Sequence, residues 1–282
     1  MDKLFAFLKL VRFPNLVMLV LVQVITVICF YPSFSLKWSI AISFTTILIA
    51  AGGYVINDIQ DFELDKLNKN IITIFSKNDL IKTYKILIII SLISSVYIST
   101  LTSFDFIIWF LIPIIVLWLY AYFFSKYKLI GNIIISLLVA ESILIIIFFL
   151  NYHQDFLPNS NYTLLQYSLL AFWFNYIREI VKDIEDIEGD NAFERKTIPI
   201  LFGLNKTKIY VAILFKIALI FIWFSGFYIS FIWLKVIFTI LISIVLFLLF
   251  KAKQKQDFKN LSLQIKLIML LGLLSPLLFY FS

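Results

Sequence analysis

Apolar windows of roughly 18–24 residues, each long enough to cross the hydrocarbon core of a bilayer as a helix, recur along the whole chain. They fall near 15–33, 37–56, 84–102, 105–124, 130–150, 162–181, 207–228, 231–250 and 263–281. A helix satisfies its own backbone donors and acceptors in lipid, so such a chain is expected to be an all-α polytopic membrane protein with about nine transmembrane helices. With 62% hydrophobic residues and a mean hydropathy of +1.00, it lies well outside the range of soluble domains. No separate soluble domain is legible, and residues 1–282 read as a single transmembrane domain. The weakest boundary is the seventh to the eighth window, where Tyr228 to Leu234 offers little polar punctuation.

Lysine and arginine set the orientation. One side collects Lys3, Lys9, Arg12, Lys66, Lys69, Lys77, Lys82, Lys85, Lys126 and Lys128, and further along Arg178, Lys182, Arg195, Lys196, Lys206, Lys208, Lys251, Lys253, Lys255, Lys259 and Lys266. The other side has Lys37 and Lys235, and Lys216 lies inside the seventh window. This asymmetry places the N-terminus in the cytosol and the C-terminus outside, in the cell membrane. The net charge of +7 is dispersed among these loops and does not suggest nucleic acid. Cys29 is the one cysteine, so no internal disulfide is possible. His153 is the one histidine, in a loop expected on the far side, which removes His-based metal sites and Ser-His nucleophiles. Met1-Asp2-Lys3 followed by a mixed helix does not read as a cleaved signal peptide.

Two acidic stretches end apolar runs on the cytosolic side. The first is Asn57-Asp58-Ile59-Gln60-Asp61-Phe62-Glu63-Leu64-Asp65, in which Asp58, Asp61 and Asp65 would share one helical face. The second, residues 179–190, puts Glu179, Asp183, Asp186 and Asp190 on one face, with Glu185 and Glu188 turned away. Carboxylates so arranged repel unless a cation neutralises them. Oxygen ligands of this kind suit Mg²⁺, which takes one or two carboxylates and leaves positions for water and phosphate. Two such helix ends could hold Mg²⁺ ions bridged by a diphosphate; the competing reading is a pair of solvated acidic turns at the membrane surface.

Other polar residues frame these stretches. Leu8 to Leu16 reads as an interfacial helix leading into the first span, with Arg12 and Asn15 able to reach a phosphate or simply to anchor in lipid headgroups. Gly52 and Gly53 permit close helix approach. The short turn holding Lys126 and Lys128 leads into Asn132, a polar group inside a span that needs a partner. Glu141 and Lys216 are intramembrane charges that could pair, or serve function. The two acidic stretches lie about 125 residues apart in similar settings, which hints at a duplicated arrangement.

At these residues the chain resembles the UbiA-type intramembrane prenyltransferases. Asn57 to Asp65 matches that family's N-D-x-x-D-x-x-x-D motif without a gap, and Asp183 to Asp190 occupies the place of its second aspartate-rich motif. Arg12-Phe13-Pro14-Asn15, the turn from Lys126 to Asn132, and Thr197-Ile198-Pro199-Ile200-Leu201-Phe202-Gly203 extend the likeness over nearly the whole chain. The wording of residues 178–190 looks most like the ether-lipid branch, which makes digeranylgeranylglyceryl phosphate. Two departures stand out: Asn70 to Lys77 replaces the usual Arg-Pro segment, so that a phosphate-contacting arginine is either missing or replaced by Lys69 or Lys77, and Glu194 occupies a common glycine position.

The resemblance implies helices around a central cavity under a cytosolic cap, and Mg²⁺-dependent transfer of a polyprenyl group from its diphosphate to a lipophilic acceptor. Asp58, Asp61, Asp65, Asp183, Asp186, Asp190 and Glu179 would be the metal ligands. Asp58, Asp61, Asp183, Asp186 and Lys182 would form the catalytic set, with Asn57, Arg12, Asn15, Lys126, Lys128 and Asn132 on the diphosphate. An aromatic-acid prenyltransferase of quinone synthesis would use the same residues. A transporter would use the acids as ion sites, but those usually lie near the bilayer midplane rather than at one surface.

Overall fold

A computed structural model describes residues 3–30, 36–62, 75–152, 158–225 and 232–280; at 126, 128, 150–152, 158–161, 279 and 280 only the backbone is described. Twelve α-helices and no strands occur among these residues. They are α1 (Lys3–Leu10), α2 (Phe13–Phe30), α3 (Leu36–Gln60), α4 (Lys77–Leu101), α5 (Ile107–Tyr122), α6 (Lys128–Tyr152), α7 (Pro158–Glu185), α8 (Ile187–Ala192), α9 (Ile198–Phe202), α10 (Leu204–Phe224), α11 (Ile232–Lys251) and α12 (Lys255–Tyr280). Among the described residues, eight helices are long and apolar enough to cross a membrane: α2 to α6 and α10 to α12. The expected sixth span falls on α7, whose 28 residues suffice in length. Asn175, Arg178, Glu179, Lys182 and Asp183 make it the most polar of the long helices. The chain is an integral membrane protein of all-α class.

The chain divides into two compact units, Met1–Ser125 with Ile145–Phe156, and Lys126–Leu144 with Leu157–Ser282. Each contains one of the acidic stretches.

In the first unit α3 is the central helix, packed against α2, α4 and α5. Lipid supplies no hydrophobic drive between helices, so small and hydroxylated side chains mediate close approach. Ser91, Ser95 and Ser99 line the buried face of α4, and Thr45 of α3 shares a 2.6 Å hydrogen bond with Ser94. Gly52 and Gly53 lie where α4 and α5 come closest: a Cβ there would stand 2.9 Å from Ile88 Cδ1 and 2.8 Å from two methyls of Leu117. Leu10, Val11, Leu16, Val55, Ile59, Phe62 and Leu80 form one buried cluster. It fastens the amphipathic α1 to the end of α3 that bears the acids. Ser76 and Asp79 form a reciprocal capping box that starts α4.

In the second unit α7 packs against α12 and α10. Tyr167 Oη donates to Leu273 O (3.0 Å) and Trp173 Nε1 to Leu214 O (2.8 Å), pinning both neighbours to α7. Thr197 caps α9, Pro199 occupies its first turn, and Gly203 at φ 82° ends it. Lys235, counted on the outer side, is buried within α11 and donates to Trp223 O at the C-terminus of α10 (2.8 Å). The connection at 226–231, the weakest boundary in the sequence, lies outside the described residues, as does His153.

Candidate functional site

The first acidic stretch sits at the end of α3. Asp61 N still donates to Asn57 O (3.0 Å), so helical geometry continues one residue past Gln60 and keeps Asp61 beside Asp58. Asp58 is 8% exposed, whereas Asn57 and Asp61 are half-buried. Asp65 and Lys69 lie outside the described residues, and Lys77 is exposed at the start of α4.

Opposite Asp58 stands Arg12. The turn between α1 and α2 gives Arg12 a φ of 51°, in the left-handed region that residues with a side chain rarely enter. Its guanidinium lies 4.7 Å over the Tyr54 ring, and Nη2 is 3.9 Å from Asp58 Oδ1. Asn15 Nδ2 donates to Tyr54 Oη at 3.4 Å. Arg12 and Asn15 are thus both gathered on α3. Tyr54 was missed in the sequence, although its position four residues before Asp58 puts it on the same helical face.

The second stretch departs from its expected geometry. A single helix carrying Glu179, Asp183, Asp186 and Asp190 on one face does not form: α7 ends at Glu185, Asp186 sits in a turn, and α8 begins at Ile187. The break parts Asp186 and Asp190 from the α7 face that carries Glu179 and Asp183, and the four carboxylates meet different partners. Asp183 is 3% exposed and accepts from Asn132 Nδ2 at 2.7 Å. Asp186 is half-buried, 3.7 Å from Lys255 Nζ. Asp190 is 3% exposed, 3.7 Å from Arg195 Nη1, and its carbonyl accepts from Arg195 N (2.9 Å). Glu179 gives one oxygen to Arg178 Nη1 (2.9 Å) and the other to Lys182 Nζ (3.0 Å). Glu185, the last residue of α7 and past the apolar window at 162–181, is half-buried rather than fully solvated; burial, and then the neighbouring Asp186, push its carboxyl above the usual range.

Asn132 finds in Asp183 the partner that its position inside a span demanded. Ser136 Oγ donates to Asn132 O (2.6 Å) and Asn175 Nδ2 to Ser136 Oγ (3.2 Å), so a buried polar string between α6 and α7 ends on Asp183. Ser136 and Asn175 were not singled out in the sequence, though each lies at helical spacing from a residue that was. The side chains of Lys126 and Lys128 are outside the described set. Glu141 and Lys216 do not pair: Lys216 is exposed on α10, and Glu141 Oε1 is buried with no hydrogen-bond partner.

Among the described residues, no three His, Cys, Asp or Glu side chains converge as a ready-made metal cage. Asp58 with Asp61, and Asp183 with its amide neighbour, are instead sparse oxygen donor sets. They fit Mg²⁺, which binds through one or two carboxylates and keeps its remaining positions for water and substrate phosphate. They do not fit a thiolate- or imidazole-seeking metal.

The sequence model of the UbiA prenyltransferase family matches residues 16–274. A digeranylgeranylglyceryl phosphate synthase of Methanococcus aeolicus is 32% identical over 238 residues, covering 83% of this chain and 81% of that one. Its counterpart from Saccharolobus solfataricus is 36% identical over 173 residues, covering 61% of this chain and 60% of the relative, so that match spans under two thirds of the relative's length. Among solved structures, that of a digeranylgeranylglyceryl phosphate synthase in membranes aligns with a TM-score of 0.69 and 27% identity, over 99% of this chain and 98% of that one. A UbiA homolog from Archaeoglobus fulgidus bound to GPP and Mg²⁺ aligns with a TM-score of 0.61 over 95% of this chain and 98% of that one; at 16% identity it speaks to the fold alone.

Proposed function

The chain belongs to the UbiA prenyltransferase family, and from that premise we propose that it transfers a geranylgeranyl group from its diphosphate to geranylgeranylglyceryl phosphate, releasing diphosphate. The observation that carries this reading is the same in each unit. One motif aspartate, Asp58 or Asp183, is buried at the end of a long helix and fastened by a partner distant in sequence, Arg12 or Asn132. The names of the relatives favour the glyceryl phosphate acceptor over an aromatic acid.

Asn57, Asp58, Asp61 and Asp65 of the first motif, with Asp183, Asp186 and Asp190 of the second, are the residues we assign to hold Mg²⁺ and diphosphate. Glu179 is left out of the metal set because both its oxygens face cations. Mg²⁺, when bound, supplies neutralisation of the charge that develops on the departing diphosphate. Arg12, held on Tyr54, contributes a second positive charge there, and Asn15 and Asn132 contribute amide donors; Lys126 and Lys128 are assigned to the same group. Allylic C–O cleavage leaves cationic character at C1, which the acceptor hydroxyl attacks as it loses its proton. The surrounding apolar helices exclude water that would otherwise capture the cation. The distribution of lysine and arginine supports the cytosolic face of the cell membrane as the side of this chemistry.

The test is transfer by purified protein in nanodiscs, with labelled geranylgeranyl diphosphate and Mg²⁺. Geranylgeranylglyceryl phosphate, 1,4-dihydroxy-2-naphthoate and 4-hydroxybenzoate are offered side by side. A labelled diether phosphate that disappears with EDTA is expected; prenylated aromatic product alone would overturn the acceptor assignment.

A further inference from the structure

Five residues before Asp183, α7 carries Arg178, a cation not assigned to the diphosphate. Arg178 Nη1 and Lys182 Nζ together take both oxygens of Glu179. Arg178 Nε is nevertheless buried and has no hydrogen-bond partner. From α12, which packs along α7, Lys266 comes within electrostatic reach of both Arg178 and Lys182. Three cations therefore lie near one another between two helices, with Glu179 accepting from two of them and Glu185 within electrostatic reach of Lys182.

Such an arrangement is unfavourable by itself. Like charges repel most strongly where water is scarce, and a buried donor left without an acceptor forfeits its hydration. An entering anion relieves both costs. A guanidinium offering Nε–H beside an Nη–H matches two oxygens of one phosphate, and lysines add compact positive charge around it. A phosphate monoester, carrying close to two negative charges, answers the excess better than a lone carboxylate.

We propose that Arg178, Lys182 and Lys266 form a binding site for the phosphate group of the acceptor lipid. The proposal rests on the glyceryl phosphate reading of the acceptor and places that phosphate in the second unit, against α7 and α12. The helical rise from Arg178 to Asp183 is about 7.5 Å, enough to keep this phosphate apart from the diphosphate assigned to the aspartates.

The experiment compares wild type, Arg178→Gln and Lys266→Gln, each full-length in nanodiscs, with the two substrates varied separately. Geranylgeranylglyceryl phosphate is run beside its dephosphorylated alcohol. In both variants KM for the phosphorylated acceptor should rise about tenfold or more, while KM for geranylgeranyl diphosphate stays within about twofold. The preference for phosphorylated over dephosphorylated acceptor should shrink in parallel. A merely structural role would lower activity on both acceptors alike. A rise confined to the donor KM would overturn the proposal and give the cluster to the diphosphate. Unchanged discrimination in both variants would overturn it as well. Should Arg178→Gln fail to fold, Lys266→Gln carries the same comparison. Wild-type protein that ignores geranylgeranylglyceryl phosphate altogether would overturn the acceptor reading, and this site with it.

Discussion

Asn132 and Asp183, 51 residues apart in sequence, meet in a buried 2.7 Å hydrogen bond with the amide as donor. Replacing the amide by a methyl leaves a buried carboxylate one donor short. Hydrogen bonds to charged groups contribute about 1.5–3 kcal/mol, so Asn132→Ala should lower thermal stability and cut transfer by at least about tenfold. Asn132→Asp should do worse, since it sets two carboxylates side by side. Thermal unfolding in detergent with initial-rate assays checks the order; an aspartate variant as active as wild type would contradict it.

Asp58→Asn and Asp183→Asn retain shape and remove charge. Each should reduce turnover by about a thousandfold or more, given the share of catalysis that charge stabilisation supplies. A Mg²⁺ titration of residual activity should shift to higher concentration in both. If only one variant responds, the two motifs do not share the metal–diphosphate group.

The Arg12–Tyr54 contact separates ring from hydroxyl. Tyr54→Phe keeps the face beneath the guanidinium and loses only the Asn15 hydrogen bond, so donor KM should barely move. Tyr54→Leu removes a cation–π contribution of about 0.5–1 kcal/mol and should raise donor KM roughly two- to fivefold with kcat less affected. Equal effects of the two variants would argue that the ring face does not orient Arg12.

Glu194 has a φ of 54°, where left-handed backbone costs a residue with a Cβ roughly 1–2 kcal/mol. Glycine adopts this conformation freely but gains entropy in the unfolded chain. Glu194→Gly should therefore raise the thermal midpoint slightly and leave kcat alone. A drop in midpoint would mean that the Glu194 side chain contributes a contact larger than the backbone term.

Gly53→Ala should destabilise by about 1–3 kcal/mol, because its methyl must displace two Leu117 methyls at 2.8 Å. Gly52→Ala meets only the tip of Ile88 at 2.9 Å and should cost less. Circular-dichroism melts of the two variants decide the order.

The spans were legible because their signal is local: each long apolar run must become a helix to satisfy its backbone in lipid, whatever its neighbours do. The acidic stretches were legible because Asn57 to Asp65 carries its spacing in nine consecutive residues. Which residues answer these acids was another matter. Asn132 was marked as needing a partner, yet nothing in its surroundings names Asp183, because the pairing depends on how α6 packs on α7. Tyr54 reads as one more aromatic among 45 Phe and Tyr until the α1–α2 turn swings Arg12 over it. The uniform helical face across Glu179 to Asp190 failed for the same reason. Periodicity assumes an unbroken helix, and the chain breaks at Asp186, sending Asp190 to Arg195 and Asp186 to Lys255. By itself the sequence determined the class of fold, its membrane spans and the residues rich enough in oxygen to hold a Mg²⁺–diphosphate. Only tertiary packing decided which carboxylate is buried, which is neutralised by a neighbour and which donor is left waiting, because burial and charge pairing are properties of side chains brought together from distant parts of the chain.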